Sequence, residues 1–247
     1  MEQHGATRRQ TNGVAVDLGT GSGQVAVPLA CSGRFAKVIG IDQSSAQLEH
    51  VKDHRDIPSG TSLAFSQGNA LDLAPVFPSN HEVSLVTGAQ MMHWITRDAS
   101  QWEAFKMEMQ RILLKEGKGT LACIGYRICR VEDPVLQQIF EAMYAETTDL
   151  WDPKCDRKLL DTGFQGVDWS PFQDVRRFDL DTTFSMPVAQ FVNYLGTWSV
   201  FATEDARNLA IFDKFKEAIK LEGFKPDQQI QLIYPFFAIV SKSPGPA

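Results

Sequence analysis

Three glycines at alternate positions, Gly19, Gly21 and Gly23, close the apolar run Val14-Ala-Val-Asp-Leu18, and two carboxylates, Asp17 and Asp42, stand on either side of them. Glycine tolerates positive φ and has no Cβ, so a loop of this spacing can bend sharply and approach a ligand before the helix expected near Gln24. A dinucleotide loop needs its last glycine where Gln24 stands, so the spacing disfavours a nicotinamide cofactor. Asp17 is badly placed for a pyrophosphate and suits a cationic or amine-bearing ligand. Asp42 ends the next strand, Val38-Ile-Gly-Ile-Asp42, about 20 residues further on, where an acid can accept hydrogen bonds from both hydroxyls of a ribose. Its competing role is to cap a helix starting near Ser44.

The elements that must hold these groups follow from hydropathy. Residues 13–18, 37–41, 62–65, 83–87 and 119–124 are β-rich runs separated by helical or turn-forming stretches, a βαβ rhythm. The nearly continuous apolar character of VAVDL and VIGID points to a parallel sheet covered on both faces. A helix is expected over 98–116, with Trp102, Phe105, Met109, Ile112 and Leu113 on one face and Gly117 as its stop. Beyond Arg127 come a helix over 134–146, a polar stretch read as a cap or lid, a strand over 175–186, a helix opened by Pro187, a helix over 204–222 and a closing strand over 229–241.

The chain has 247 residues, 43% hydrophobic and 22% charged, the composition of one globular domain with a substantial core. Its net charge of −6 argues against nucleic-acid binding through overall positive charge. Cys31, Cys123, Cys129 and Cys155 form no C-x-x-C pair and are expected as reduced thiols, which points to the cytoplasm. No secretory signal or membrane-length apolar stretch is apparent.

The segments Asp17-Leu-Gly-Thr-Gly-Ser-Gly23, Val38-Ile-Gly-Ile-Asp42-Gln-Ser44 and Gly68-Asn-Ala-Leu-Asp72 together resemble class I S-adenosylmethionine-dependent methyltransferases. Thr87-Gly-Ala-Gln-Met-Met-His-Trp94 and Tyr194-Leu-Gly-Thr-Trp-Ser199 look most like the small-molecule branch of trans-aconitate methyltransferase-like proteins, with a methyltransferase type 11 domain. The resemblance implies a Rossmann-like α/β fold with a seven-stranded, mostly parallel sheet, helices on both faces and a small helical cap. It implies S-adenosyl-L-methionine as cofactor. Gly19, Thr20, Gly21 and Gly23 would line the methionine and ribose, with Asp17 toward the amino group, Asp42 on the ribose hydroxyls and Gln43 over the adenine. Asn69 and Ala70 would border the adenine edge, and Gly88, Ala89 and Gln90 would pass beneath the methionine. The single domain then divides at about 13–125 (cofactor core), 127–228 (cap and acceptor region), 229–241 (closing strand) and 242–247 (tail). Relatives of this kind carry helices ahead of the glycine loop, whereas the first strand here opens at Gly13.

Methyl transfer from a sulfonium is an in-line displacement that asks the protein to position reactants and exclude water. A carboxylate acceptor needs no base; a hydroxyl or ammonium acceptor must lose a proton. His93, after the fourth strand, is the candidate base or orienting donor, with a structural histidine beside Trp94 as the competing reading. Trp94, Tyr126, Trp151, Tyr194 and Trp198 are candidates for an aromatic acceptor pocket, and Arg127 and Arg130 for pairing with an acidic acceptor. His50 and His54 lack a third ligand, so no metal is expected, and Arg176-Arg177 read as edge-strand charges. The expected function is methylation of a small molecule at a carboxylate or hydroxyl oxygen, with neither nucleic acid nor membrane as partner. The alternative is a protein that keeps the fold and binds a ligand or partner without turnover.

Overall fold

The computed structural model describes residues 11–51, 57–151, 157–202 and 204–245. Strands β1 (Thr11–Leu18), β2 (Phe35–Asp42), β3 (Ser62–Gln67), β4 (Val83–Ala89) and β5 (Thr120–Tyr126) alternate with helices α1 (Ala26–Cys31), α2 (Ser45–Leu48) and α3 (Ala99–Ile112). There follow β6 (Arg130–Val131), α4 (Pro134–Glu146), α5 (Arg157–Asp161), β7 (Gln173–Pro187), α6 (Val188–Gly196), α7 (Ala206–Leu221) and β8 (Gln229–Lys242).

The strand order is β3-β2-β1-β4-β5-β8-β6, with β7 also paired to β8. β1 lies parallel between β2 and β4, with Asp17 opposite Gly40 on one side and Thr87 on the other. The order reverses beside β1, and in an open α/β sheet ligands bind in the crevice outside the carboxyl ends of the strands at such a point, here β1 and β4. The sheet has eight strands rather than the expected seven. The addition is β6, whose two residues pair antiparallel with Ile233 and Leu232, too short a run to leave a hydropathy pattern.

The chain forms two compact units: one comprises the chain through Gly125, Gly166–Phe178 and the residues from Ala238 on; the other comprises Tyr126–Gln165 and Asp179–Phe237. In the first, Ala15, Ala26, Ala30 and Val38 pack α1 on the sheet, and the Trp102 indole on α3 donates to the Asp168 carbonyl at 3.0 Å. In the second, Leu136, Phe140 and Met143 of α4 share a core with Phe191 and Leu195 of α6 and with Phe215 and Ile219 of α7. Each such side chain, once buried, contributes about 1.5–3 kcal/mol.

α3 ends at Ile112, short of the expected 116. Leu113 turns extended and is drawn into a bridge beside Val83, whose carbonyl accepts from Leu114 N–H at 2.8 Å. Strand pairing outcompetes the last helical turn, and Gly117, at φ +70°, serves the turn before β5. Among the described residues, no helix is long and apolar enough to cross a membrane.

Candidate functional site

β1 delivers the glycine loop to the crevice. Gly19, Gly21 and Gly23 take φ of +62°, +54° and +88°, the left-handed region that glycine enters without penalty. The bend is pinned by Thr20 N–H to the Ile41 carbonyl at 3.0 Å and by Gly23 N–H to the Thr20 carbonyl at 2.9 Å. Asp17 lies behind the loop, 1% exposed. Its two oxygens accept from the Thr20 and Thr87 hydroxyls, each at 2.7 Å, so it ties the loop to β4. Burial raises the Asp17 carboxyl above its ordinary value against the pull of those hydrogen bonds, and the nearby Asp42 charge raises it further.

Asp42, at the end of β2, is half-buried and already oriented. Its Oδ2 accepts from Gly21 N–H at 2.8 Å and its Oδ1 from Ser44 N–H at 2.9 Å. Ser44, not Asp42, caps α2: its hydroxyl accepts from Gln47 N–H. The Gln43 side chain donates to Asn69 Oδ1 at 3.4 Å, and Asn69 Oδ1 also accepts from Leu71 N–H at 3.0 Å. Ala70 is buried next to it. This turn is anchored from α3, where Glu108 accepts from Leu73 N–H at 2.6 Å and pairs with Arg111, which in turn donates to the Phe77 carbonyl. The Arg111 guanidinium holds the Glu108 carboxyl below its ordinary value.

At the end of β4, Gly88 and Ala89 lead to Gln90, which adopts φ +52° and donates its N–H to Ile124 at 2.9 Å. The next residues form a 3-10 turn, Met92–Trp94. His93 is 7% exposed, its ring centroid 5.4 Å from that of Trp94, itself 42% exposed. Met91 was not anticipated. It packs where a Cβ at Gly19 would fall 2.8 Å from its own Cβ, and its sulfur lies 3.1 Å from where a Cβ at Gly88 would be. The missing side chains of two separated glycines make room for this thioether.

Four of the five aromatic candidates meet in the second unit. The Tyr126 and Tyr194 hydroxyls are 3.4 Å apart, and the Trp198 ring lies 6.0 Å from Tyr194 and 5.6 Å from Trp151. Tyr144, Arg157, Asp161 and Tyr234 join them without having been foreseen. Tyr144 left one trace, a hydroxyl four residues after Phe140 on the apolar face of α4; Arg157 left none. Arg127 and Arg130, the candidates for pairing with an acidic acceptor, pair here with Asp179 at 2.8 Å and Asp181 at 2.6 Å. The alternation of β7 puts both aspartates on one face, opposite the arginines. His50 lies just beyond α2, while His54 and Cys155 fall outside the described residues. Among the described residues, no cluster of three or more His, Cys, Asp or Glu side chains could hold a metal.

A family model described as a methyltransferase domain matches residues 15–117, the stretch from β1 through α3 that builds the loop, the Asp42 corner and the His93 turn. Residues 15–117 are a methyltransferase domain. A Dictyostelium discoideum protein, provisionally named a methyltransferase, is 29% identical over 238 residues, covering 93% of this chain and 82% of the relative. In fold, the chain is similar to a type II methyltransferase structure from Anaeromyxobacter dehalogenans, so titled provisionally (TM-score 0.69, 22% identity, 96% of this chain and 92% of the other). It is also similar to the YcgJ protein of Bacillus subtilis (TM-score 0.53, 16% identity, 95% and 93%). The architecture is the Rossmann-like class I methyltransferase fold, with the matched methyltransferase domain supplying its first half.

The methyltransferase family implies S-adenosylmethionine, and the corner of this domain fits it. A Cβ added at Gly21 would meet only Gln47 Oε1, at 3.9 Å, so there is open space beside the very residue whose N–H orients Asp42. The exposed side chains of Gln43, the residue after Asp42, and Asn69 are joined to each other by a hydrogen bond.

Proposed function

We propose that this methyltransferase moves a methyl group from S-adenosyl-L-methionine to a small molecule, at a carboxylate or hydroxyl oxygen, in keeping with its resemblance to the trans-aconitate methyltransferase-like branch. The observation that carries the reading is the Asp42 carboxylate, fixed by Gly21 and Ser44 amides beside an open glycine corner. A carboxylate has about four acceptor sites, so two remain for the paired hydroxyls of a ribose.

In this reading Gly19, Thr20, Gly21 and Gly23 form the floor of the cofactor site, and Gln43, Asn69 and Ala70 border the adenine. Gly88, Ala89 and Gln90 run beneath the methionine. Asp17 supports the loop and contributes negative charge below it, a favourable setting for a cationic ligand. When bound, the cofactor supplies an electrophilic methyl on a positively charged sulfur. His93 orients the acceptor, or takes the proton of a hydroxyl acceptor; a carboxylate acceptor requires no such step. Tyr126, Trp151, Tyr194 and Trp198 belong to the acceptor region, with Trp94 at the end of the His93 turn.

The test is calorimetric titration of the full chain with S-adenosylhomocysteine. Saturable binding with one site per chain is expected; no binding by demonstrably folded protein overturns the proposal.

A further inference from the structure

The second unit contains an ionic cluster inside an aromatic shell. Arg157 donates from Nε to the Tyr144 hydroxyl at 3.0 Å, and its Nη2 lies 2.7 Å from Asp161 Oδ1. The Tyr144 hydroxyl donates to Asp161 Oδ2 at 2.5 Å. The guanidinium sits 5.6 Å from the Trp151 ring and 5.9 Å from the Tyr144 ring. Next to it the Tyr126 and Tyr194 hydroxyls lie 3.4 Å apart, and the Tyr234 ring lies 6.4 Å from that of Tyr194.

The chemistry of this cluster is biased toward donors. Burial pushes the Tyr126, Tyr144 and Tyr234 phenols well above their ordinary range, so all three stay protonated at neutral pH. Among the described residues Asp161 is the one carboxylate in direct contact, and Tyr144 and Arg157 already engage it. The Nη2 approach to Oδ1 is off the line of a hydrogen bond, so the guanidinium fork is only partly committed. Among the described residues nothing accepts from Nη1. A cationic ligand would find the acid neutralised and the ring faces taken by Arg157. An oxyanion would find an oriented fork and neutral hydroxyl donors beside it.

We propose that Arg157, held in place by Asp161 and Tyr144, is the specificity residue that reads an oxyanion on the acceptor, a carboxylate or a phosphate, with the Tyr126 and Tyr194 hydroxyls as secondary donors. The inference rests on the proposed methyl-transfer function and adds to it the residue that selects the acceptor. Rigid fork geometry favours arginine for this task, since planar guanidinium matches two oxygens at once.

The test uses the full chain saturated with S-adenosylhomocysteine and four probes: succinate, glycerol phosphate, neutral succinamide and choline. Calorimetry should detect succinate or glycerol phosphate, whichever source of oxyanion is the true one, and neither succinamide nor choline. Arg157→Met should weaken that binding by about tenfold or more, with partial rescue in Arg157→Lys and unchanged affinity for S-adenosylhomocysteine. A merely structural arginine would lower the melting temperature of both variants and leave probe selectivity intact. If Arg157→Met does not fold, the Tyr126→Phe, Tyr194→Phe double variant carries the test, with several-fold weaker oxyanion binding expected. The inference is overturned if neither oxyanion binds the wild type, if choline or succinamide binds as well, or if the folded variants bind within threefold of wild type. Loss of S-adenosylhomocysteine binding by the wild type would instead overturn the proposed function.

Discussion

Replacing Asp42 by alanine removes one carboxylate that serves the loop and, in the proposed function, the ribose. On the ligand side two charge-assisted hydrogen bonds are lost, each contributing about 1.5–3 kcal/mol, or about 3–6 kcal/mol together. At 1.4 kcal/mol per factor of ten, that is a weakening of S-adenosylhomocysteine binding by roughly 100-fold to 10,000-fold. On the protein side the Gly21 and Ser44 N–H groups lose their acceptor. Ser44 is exposed and Gly21 half-buried, so water can replace it at a cost of about 1 kcal/mol or less for each. The variant should therefore fold with a modest fall in melting temperature and bind far more weakly. Calorimetry and circular dichroism on the same sample separate the two effects. A folded variant that binds S-adenosylhomocysteine within threefold of wild type would refute the assignment of Asp42 to the ribose.

Gly40→Ala should destabilise the chain by about 1–3 kcal/mol and lower its melting temperature by several degrees, because the new Cβ would fall 2.6 Å from the Phe65 ring and 2.7 Å from the Thr20 hydroxyl; an unchanged melting temperature counts against the packing described. Asp17 has a folded-state carboxyl raised mainly by burial, so between its unfolded and folded values the folded chain holds the extra proton. Its contribution to stability is thus greatest below about pH 4 and is lost as pH rises through the folded value. Urea unfolding at a series of pH values should show this slope reduced in Asp17→Asn; parallel curves for variant and wild type would contradict it. His93→Ala should keep S-adenosylhomocysteine affinity within about threefold while slowing methyl transfer, and an equal loss of both would remove His93 from the acceptor side.

The first half of the chain was legible because each signal there is local. Apolar runs of β1, β2 and β4 fall directly in the sequence, and the glycine spacing foretold three left-handed residues. α4 is legible because Leu136, Ile139, Phe140 and Met143 recur on one helical face, and its start is sharp because Asp133 accepts from Val135 and Leu136 N–H. What was missed depends on distant partners. α3 was overextended because Leu113 obeys Val83, a strand about 30 residues away in sequence. Arg127 and Arg130 could not be matched with Asp179 and Asp181 until β7 returned beside them. Met91 reads as one more apolar residue until its packing on Gly19 and Gly88 is seen, and Arg157 sits in a polar stretch with no periodicity to mark it.

Asp42 joins the tip of β1's loop to the start of α2 before any ligand arrives. Recognition and folding are consequently linked through one side chain: whatever grips that carboxylate also clamps two segments of backbone, and whatever loosens either segment reduces affinity. The entropy of arranging the acid is settled when the chain folds, leaving the incoming molecule little reorganisation to drive. By mass action, ligand at a hundredfold excess over its dissociation constant would then stabilise the native state by about 2.7 kcal/mol, so thermal denaturation itself reports occupancy of this corner.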